Sequence, residues 1–171
     1  MRKFAATLLV LLMFSSVAHA AALALGTKEL RLNGGVDFDG PGGTDMALKL
    51  GYGYFMADYM EVGGLLGFTD NDYISTLSAG GFLEYNFETE SAFIPYVGSQ
   101  IELMQADIEG GDSEIALTLG LYAGGKYFVN NNLAINGRFI FLAATEDAYL
   151  DDKLKGSSTD TQFELGLNFY F

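Results

Sequence analysis

From Leu30 onward, apolar residues alternate with polar or small ones at a period of two. This is the signature of extended strands with two unlike faces. Leu30, Leu32, Gly34, Val36 and Phe38 alternate with Arg31, Asn33, Gly35 and Asp37. Met46, Leu48, Leu50, Tyr52 and Tyr54 alternate with Ala47, Lys49, Gly51 and Gly53. The same rhythm returns over residues 60–68, 77–87, 93–103, 115–127, 133–141 and 163–171, which predicts eight strands. The runs are about nine to twelve residues long, the reach a tilted strand needs to cross a bilayer.

The connections alternate as well. Short turns are expected at residues 55–59, 88–92 and 129–132, and longer connections at 39–44, 69–75, 105–112 and 145–160. An even number of strands joined by short turns at one end and longer loops at the other is the plan of a membrane barrel. In lipid an unpaired backbone group costs several kcal/mol, so such a sheet must close on itself. The expected fold is an all-β, eight-stranded antiparallel up-and-down transmembrane β-barrel. A soluble barrel with an apolar interior is the competing architecture. Two features oppose it. Tyr52, Tyr54, Tyr85, Phe87, Phe93, Tyr127, Phe169 and Phe171 gather at one end of the apolar face, as in an interfacial girdle. The polar face is also rich in glycine, which suits a narrow tube better than a solvated surface.

The N-terminus has a different pattern. Arg2 and Lys3 precede an apolar run over residues 4–14, then Ala18-His19-Ala20, the small-x-small form of a cleavage site. About eleven apolar residues are too few to span a bilayer as a helix. Residues 1–20 are therefore expected to be a signal peptide cut after Ala20, with Ala18 and Ala20 as the small residues of the site, and residues 21–171 the barrel domain. No cysteine is present, so neither cross-links nor thiolate metal sites hold the fold. Loss of Arg2 and Lys3 takes the formal charge from −13 to about −15, which excludes nucleic acid as a partner by repulsion of phosphate.

The segment Phe163-Glu164-Leu165-Gly166-Leu167-Asn168-Phe169-Tyr170-Phe171 resembles the terminal signal of outer-membrane proteins. Gly53-Tyr54-Phe55-Met56-Ala57-Asp58-Tyr59-Met60-Glu61-Val62-Gly63 and Lys126-Tyr127-Phe128-Val129-Asn130-Asn131-Asn132-Leu133-Ala134-Ile135 are similar to stretches of the small outer-membrane barrel family of OmpA, OmpX and OmpW. These two also align with each other, Tyr54 with Tyr127 and Val62 with Ile135, as a weak internal repeat. Ile94-Pro95-Tyr96-Val97-Gly98 matches the family's opening of its fifth strand. The resemblance implies an outer-membrane location in a Gram-negative cell. It also implies that the barrel assembly machinery reads Phe163, Leu165, Leu167, Phe169 and Phe171. Since the chain ends at Phe171, it implies a barrel without the periplasmic domain of larger OmpA relatives.

Candidate chemistry is sparse. The one histidine, His19, lies in the expected signal peptide, so His-assisted nucleophilic catalysis has no base. No enzyme activity and no cofactor are expected. Asp37 and Asp39 open a calcium-loop-like run, but Leu48 stands where a bidentate glutamate would be needed. No resident metal site is expected. The external loops are acidic (Asp70, Asp72, Asp107, Glu109, Asp112, Glu114, Glu146, Asp147, Asp151, Asp152), and could meet lipopolysaccharide phosphates only through divalent cations. The polar face carries four cations, Arg31, Lys49, Lys126 and Arg138, and four anions, Glu61, Glu84, Glu102 and Glu164. Held away from water they must pair, and Arg138 with Glu164 is the first pair nominated. Two functions remain open: a structural or surface-interaction barrel facing lipid, lipopolysaccharide or a host ligand, and a narrow channel for small or hydrophobic solutes.

Overall fold

The computed structural model describes residues 23–37, 45–70, 74–108, 113–146, 149–150 and 156–171. The expected signal peptide, with Ala18 and Ala20, lies outside them, as does most of the acidic loop sequence. Among the described residues ten strands form: β1 (Lys28–Asp37), β2 (Asp45–Ala57), β3 (Met60–Asp70), β4 (Ile74–Asn86), β5 (Phe93–Ile108), β6 (Ser113–Asn130), β7 (Leu133–Ala144), β8 (Tyr149–Leu150), β9 (Gly156–Ser157) and β10 (Thr159–Tyr170). Eight of them close an antiparallel barrel in the order β1-β2-β3-β4-β5-β6-β7-β10, while β8 and β9 pair as a separate ribbon. The seam is β1 with β10, from Glu29 opposite Tyr170 to Gly35 opposite Glu164. Just beyond it, Lys28 and Phe171 exchange both backbone hydrogen bonds, at 2.9 and 3.0 Å.

The strands exceed the expected length at both ends, and β2 and β6 run on to Ala57 and Asn130, into the turns expected at 55–59 and 129–132. β3 runs to Asp70 with β4 starting at Ile74, and β5 runs 16 residues to Ile108 with β6, of 18, starting at Ser113, so the connections after β3 and β5 are shorter than the alternation suggested. The ladder continues through polar pairs such as Asp70 with Ser75 and Asp107 with Ser113. Above the hydrocarbon, an outward residue no longer has to be apolar. The period-two signal fades there while backbone pairing persists.

The apolar rows point outward: Leu121 is 67% exposed and Leu66 57%, whereas Lys126 and Glu61 are wholly buried. This is the reverse of a water-soluble protein. The aligned stretches around Tyr54 and Tyr127 share a detail, since each carries a register shift just before its turn, between Phe55 and Ala57 and between Phe128 and Asn130. Phe55 and Phe128 both point inward and are fully buried. Ahead of β1 the chain crosses beneath the barrel. There the Gly26 amide donates to the Phe55 carbonyl, the Tyr59 amide to the Leu23 carbonyl and the Leu25 amide to Asp58 Oδ1. Leu23 packs with Phe55, Ile94, Phe128, Ala134 and Tyr170 at the base.

Candidate functional site

Alternation brings every second side chain of each strand into the bore, and an eight-stranded barrel has just enough width for side chains to fill it. All eight charged residues singled out in the sequence lie there. They sort into two clusters by height.

The lower cluster sits above the apolar base. Arg31 on β1 contacts three carboxylates: its Nε is 2.7 Å from Glu29 Oε1, Nη2 3.2 Å from Glu61 Oε2, and Nη1 2.9 Å from Glu84 Oε2. Lys126 on β6 reaches the same three from across the bore, with Nζ 2.9 Å from Glu29 Oε2, 3.6 Å from Glu61 Oε2 and 2.6 Å from Glu84 Oε1. Aromatic rings complete its cage, Tyr96 at 5.2 Å and Tyr170 at 5.7 Å from Nζ, in the range of cation–π attraction. The Arg31 guanidinium lies over Phe82 at 4.7 Å.

The upper cluster joins Lys49 (β2), Glu102 (β5), Arg138 (β7) and Glu164 (β10). Glu164 and Arg138 stand directly opposite each other in register. Arg138 donates to Glu164 Oε2 through Nε at 2.7 Å and Nη2 at 2.6 Å, and Lys49 Nζ lies 3.1 Å from Oε1. Lys49 is only 3.8 Å from Glu102 Oε1. Glu102 leans instead on neutral donors, Ser78 Oγ at 2.6 Å and the Gln100 amide. A chain of amides links the clusters. Asn168 donates to Glu29 at 2.9 Å, Asn136 bonds both Asn168 and Asn33, and Asn33 donates to Glu164 at 3.2 Å.

Sequence reasoning missed Glu29. It extends the inward row of Arg31, Asn33 and Gly35 by one more step, immediately before the residue at which the alternation becomes apolar. The inward glycines also have a use beyond leaving space. A Cβ added at Gly53 would collide with the Glu61 carboxylate, at Gly63 with the Phe82 ring, and at Gly98 with Tyr122. Their missing side chains are what lets the long polar and aromatic ones lie across the bore. Between the clusters a cavity of about 10 Å³ remains, lined in part by Arg31, Asn33, Lys49, Phe82 and Arg138, about the space of one water.

The C-terminal row, Phe163, Leu165, Leu167, Phe169 and Phe171, faces outward along β10, with Phe163 tilted against Phe139 of β7 at 4.8 Å between ring centres. At the end opposite the Leu23 base, Tyr149 from the ribbon packs over Tyr122, Ile140 and Leu142 inside the barrel wall. Burial pushes its hydroxyl well above the usual tyrosine range. Among the described residues, no group of three or more histidine or carboxylate side chains converges as a metal site.

The fold is similar to Neisserial surface protein A, at 17% identity over 85% of this chain and 95% of that one, with a TM-score of 0.60. It is similar to the N-terminal β-barrel domain of Pseudomonas aeruginosa OprF at 16% identity, over 86% and 98% of the two chains, with a TM-score of 0.65. Yersinia pestis Ail, solved in a phospholipid bilayer nanodisc, matches at 14% identity over 85% and 99%, with a TM-score of 0.53. Likeness at these identities carries the architecture. No curated protein matches the chain. The sequence profile described as "Outer membrane protein beta-barrel domain" matches residues 6–171. The chain therefore belongs to the outer membrane protein beta-barrel domain family, as an eight-stranded barrel of the outer membrane.

Proposed function

We propose that this barrel is a non-enzymatic protein whose interior is closed, and that its work is done at its surfaces. The observation that carries this reading is the lower cluster, where five charged side chains and their ring partners occupy the full width of the bore. A solute crossing would have to separate Arg31 and Lys126 from three carboxylates at once. Parting buried charges from their partners costs several kcal/mol per ion, and the apolar base around Leu23 closes the path below.

On this reading the external end and the lipid-facing wall are the functional surfaces. Acidic loops meet lipopolysaccharide phosphates through divalent cations, or a ligand on another cell or a host. The assembly machinery recognises the row from Phe163 to Phe171, and residues 1–20 are removed on export. The absence of histidine after His19 supports a barrel without a histidine-assisted nucleophile. Planar-bilayer recording of the purified barrel tests the closed interior. The expected result is no steady conductance. A large, stable conductance in the unmodified protein would move a narrow channel for small solutes ahead of the surface role.

A further inference from the structure

The lower cluster is unbalanced. Three carboxylates, Glu29, Glu61 and Glu84, share two cations, Arg31 and Lys126, and all five side chains are at most 5% exposed. One negative charge has no counterpart inside the cluster. The upper cluster offers no relief, since Lys49 and Arg138 are matched there by Glu102 and Glu164.

The three carboxylates are not held equally. Glu29 takes Arg31 Nε at 2.7 Å, Lys126 at 2.9 Å and the Asn168 amide at 2.9 Å. Glu84 has a cation on each oxygen, at 2.9 and 2.6 Å. Glu61 has the two longest contacts, 3.2 and 3.6 Å, both on Oε2. Its Oε1 is buried with no hydrogen-bond partner; the Glu84 oxygens also lack a hydrogen bond, but each faces a cation. Glu61 and Glu84 also stand directly opposite each other across β3 and β4, a like-charge pair that is unfavourable when both are ionised.

We infer that the lower cluster is a buried proton-binding site, with one proton carried by Glu61. Protonation converts an orphaned anion into a neutral carboxyl, whose burial costs far less. It also leaves Glu29 and Glu84 as the two anions that match Arg31 and Lys126. The groups facing Glu61 are Glu29 and Arg31 from β1, Glu84 from β4, Lys126 from β6 and Tyr170 from β10. β2 places Gly53 and Phe55, neither titratable, beside it. Gly53 is what allows Oε1 to lie against the wall with nothing to accept from.

The site couples the barrel to the acidity of its surroundings. The folded barrel holds a proton that the unfolded chain releases above the ordinary carboxylate range. Stability therefore falls as pH rises from mildly acidic values until Glu61 ionises in the folded state, by up to about tenfold in the folding constant per pH unit.

The test pairs infrared spectroscopy with unfolding in urea, both on the whole barrel in detergent or vesicles. At neutral pH the unmodified protein should show the carbonyl stretch of a buried protonated carboxyl. Glu61→Gln should fold, lack that band and lose the decline in urea midpoint between mildly acidic and alkaline pH. Absence of the band in the unmodified barrel overturns the assignment, as does its persistence in Glu61→Gln. Failure of Glu61→Gln to fold also overturns it, because glutamine reproduces the neutral acid.

Discussion

The lower and upper clusters place similar residues in the same bore, yet they are stabilised differently. In the lower one each carboxylate depends on the same two cations, and each cation touches all three carboxylates. In the upper one the load is divided: Glu164 has Arg138, Lys49 and Asn33, while Glu102 has Ser78 and Gln100 beside a distant Lys49. Lys49 also keeps 13% of its side chain open, against none for Lys126. A cluster of shared ions fails as a unit, whereas one backed by neutral donors loses members singly. Substitutions at the four cations should therefore give unequal effects although each removes one positive charge.

The largest effect is expected at Lys126. Lys126→Met leaves three buried carboxylates around Arg31 alone, a loss of roughly 3–5 kcal/mol by analogy with other broken buried pairs. Heat-modifiable migration on gels should show little folded barrel. A folded yield equal to that of the unmodified protein would mean that the two clusters are equivalent. Arg138→Ala should cost less, roughly 1–3 kcal/mol, because Glu164 keeps Lys49 and Asn33. The variant also gives up the stacking of Arg138 over Tyr122 at 4.5 Å. Urea unfolding checks this value, and a loss as large as that of Lys126→Met would remove the distinction. Lys49→Gln should cost less than Lys126→Met, since Glu164 keeps Arg138 and Glu102 keeps the neutral donors Ser78 and Gln100. A steep fall in its urea midpoint would show that the upper cluster depends on its own cation after all.

The barrel was legible in the chain because lipid enforces a strict alternation. Leu30, Leu32 and the row from Phe163 to Phe171 have to be apolar to face hydrocarbon, and no packing detail can override that. The rule weakens at the end away from the Leu23 base, where Gln105, Asp107 and Asp70 continue their strands in water, and the lengths of β5 and β6 could not be read there. The interior was legible in part. Alternation assigns Arg31, Lys126 and the others to the bore, and counting along neighbouring strands brings Arg138 beside Glu164. Contacts across the bore obey no such count. Lys126 on β6 meets Glu29 on β1 only because the barrel has a particular width, and because glycines such as Gly53 and Gly98 clear the way. Glu29 itself was overlooked because it lies at the edge of its run, where one polar residue looks like the end of a strand.

The seat of Leu23 has a consequence for the order in which the molecule is made. Its walls come from Phe55 on β2, Ile94 on β5, Phe128 on β6, Ala134 on β7 and Tyr170 on β10, with Tyr59 alongside. These residues surround one point only when the first and last strands have met. While the sheet is still open, the five residues ahead of β1 have no place to go, and the hollow that will receive them is unfinished. Docking of this short leader is thus confined to the end of folding. Once seated, it ties the turn at Asp58 and Tyr59 to the strand that completes the circle, so the earliest part of the described chain to emerge is the last to come to rest.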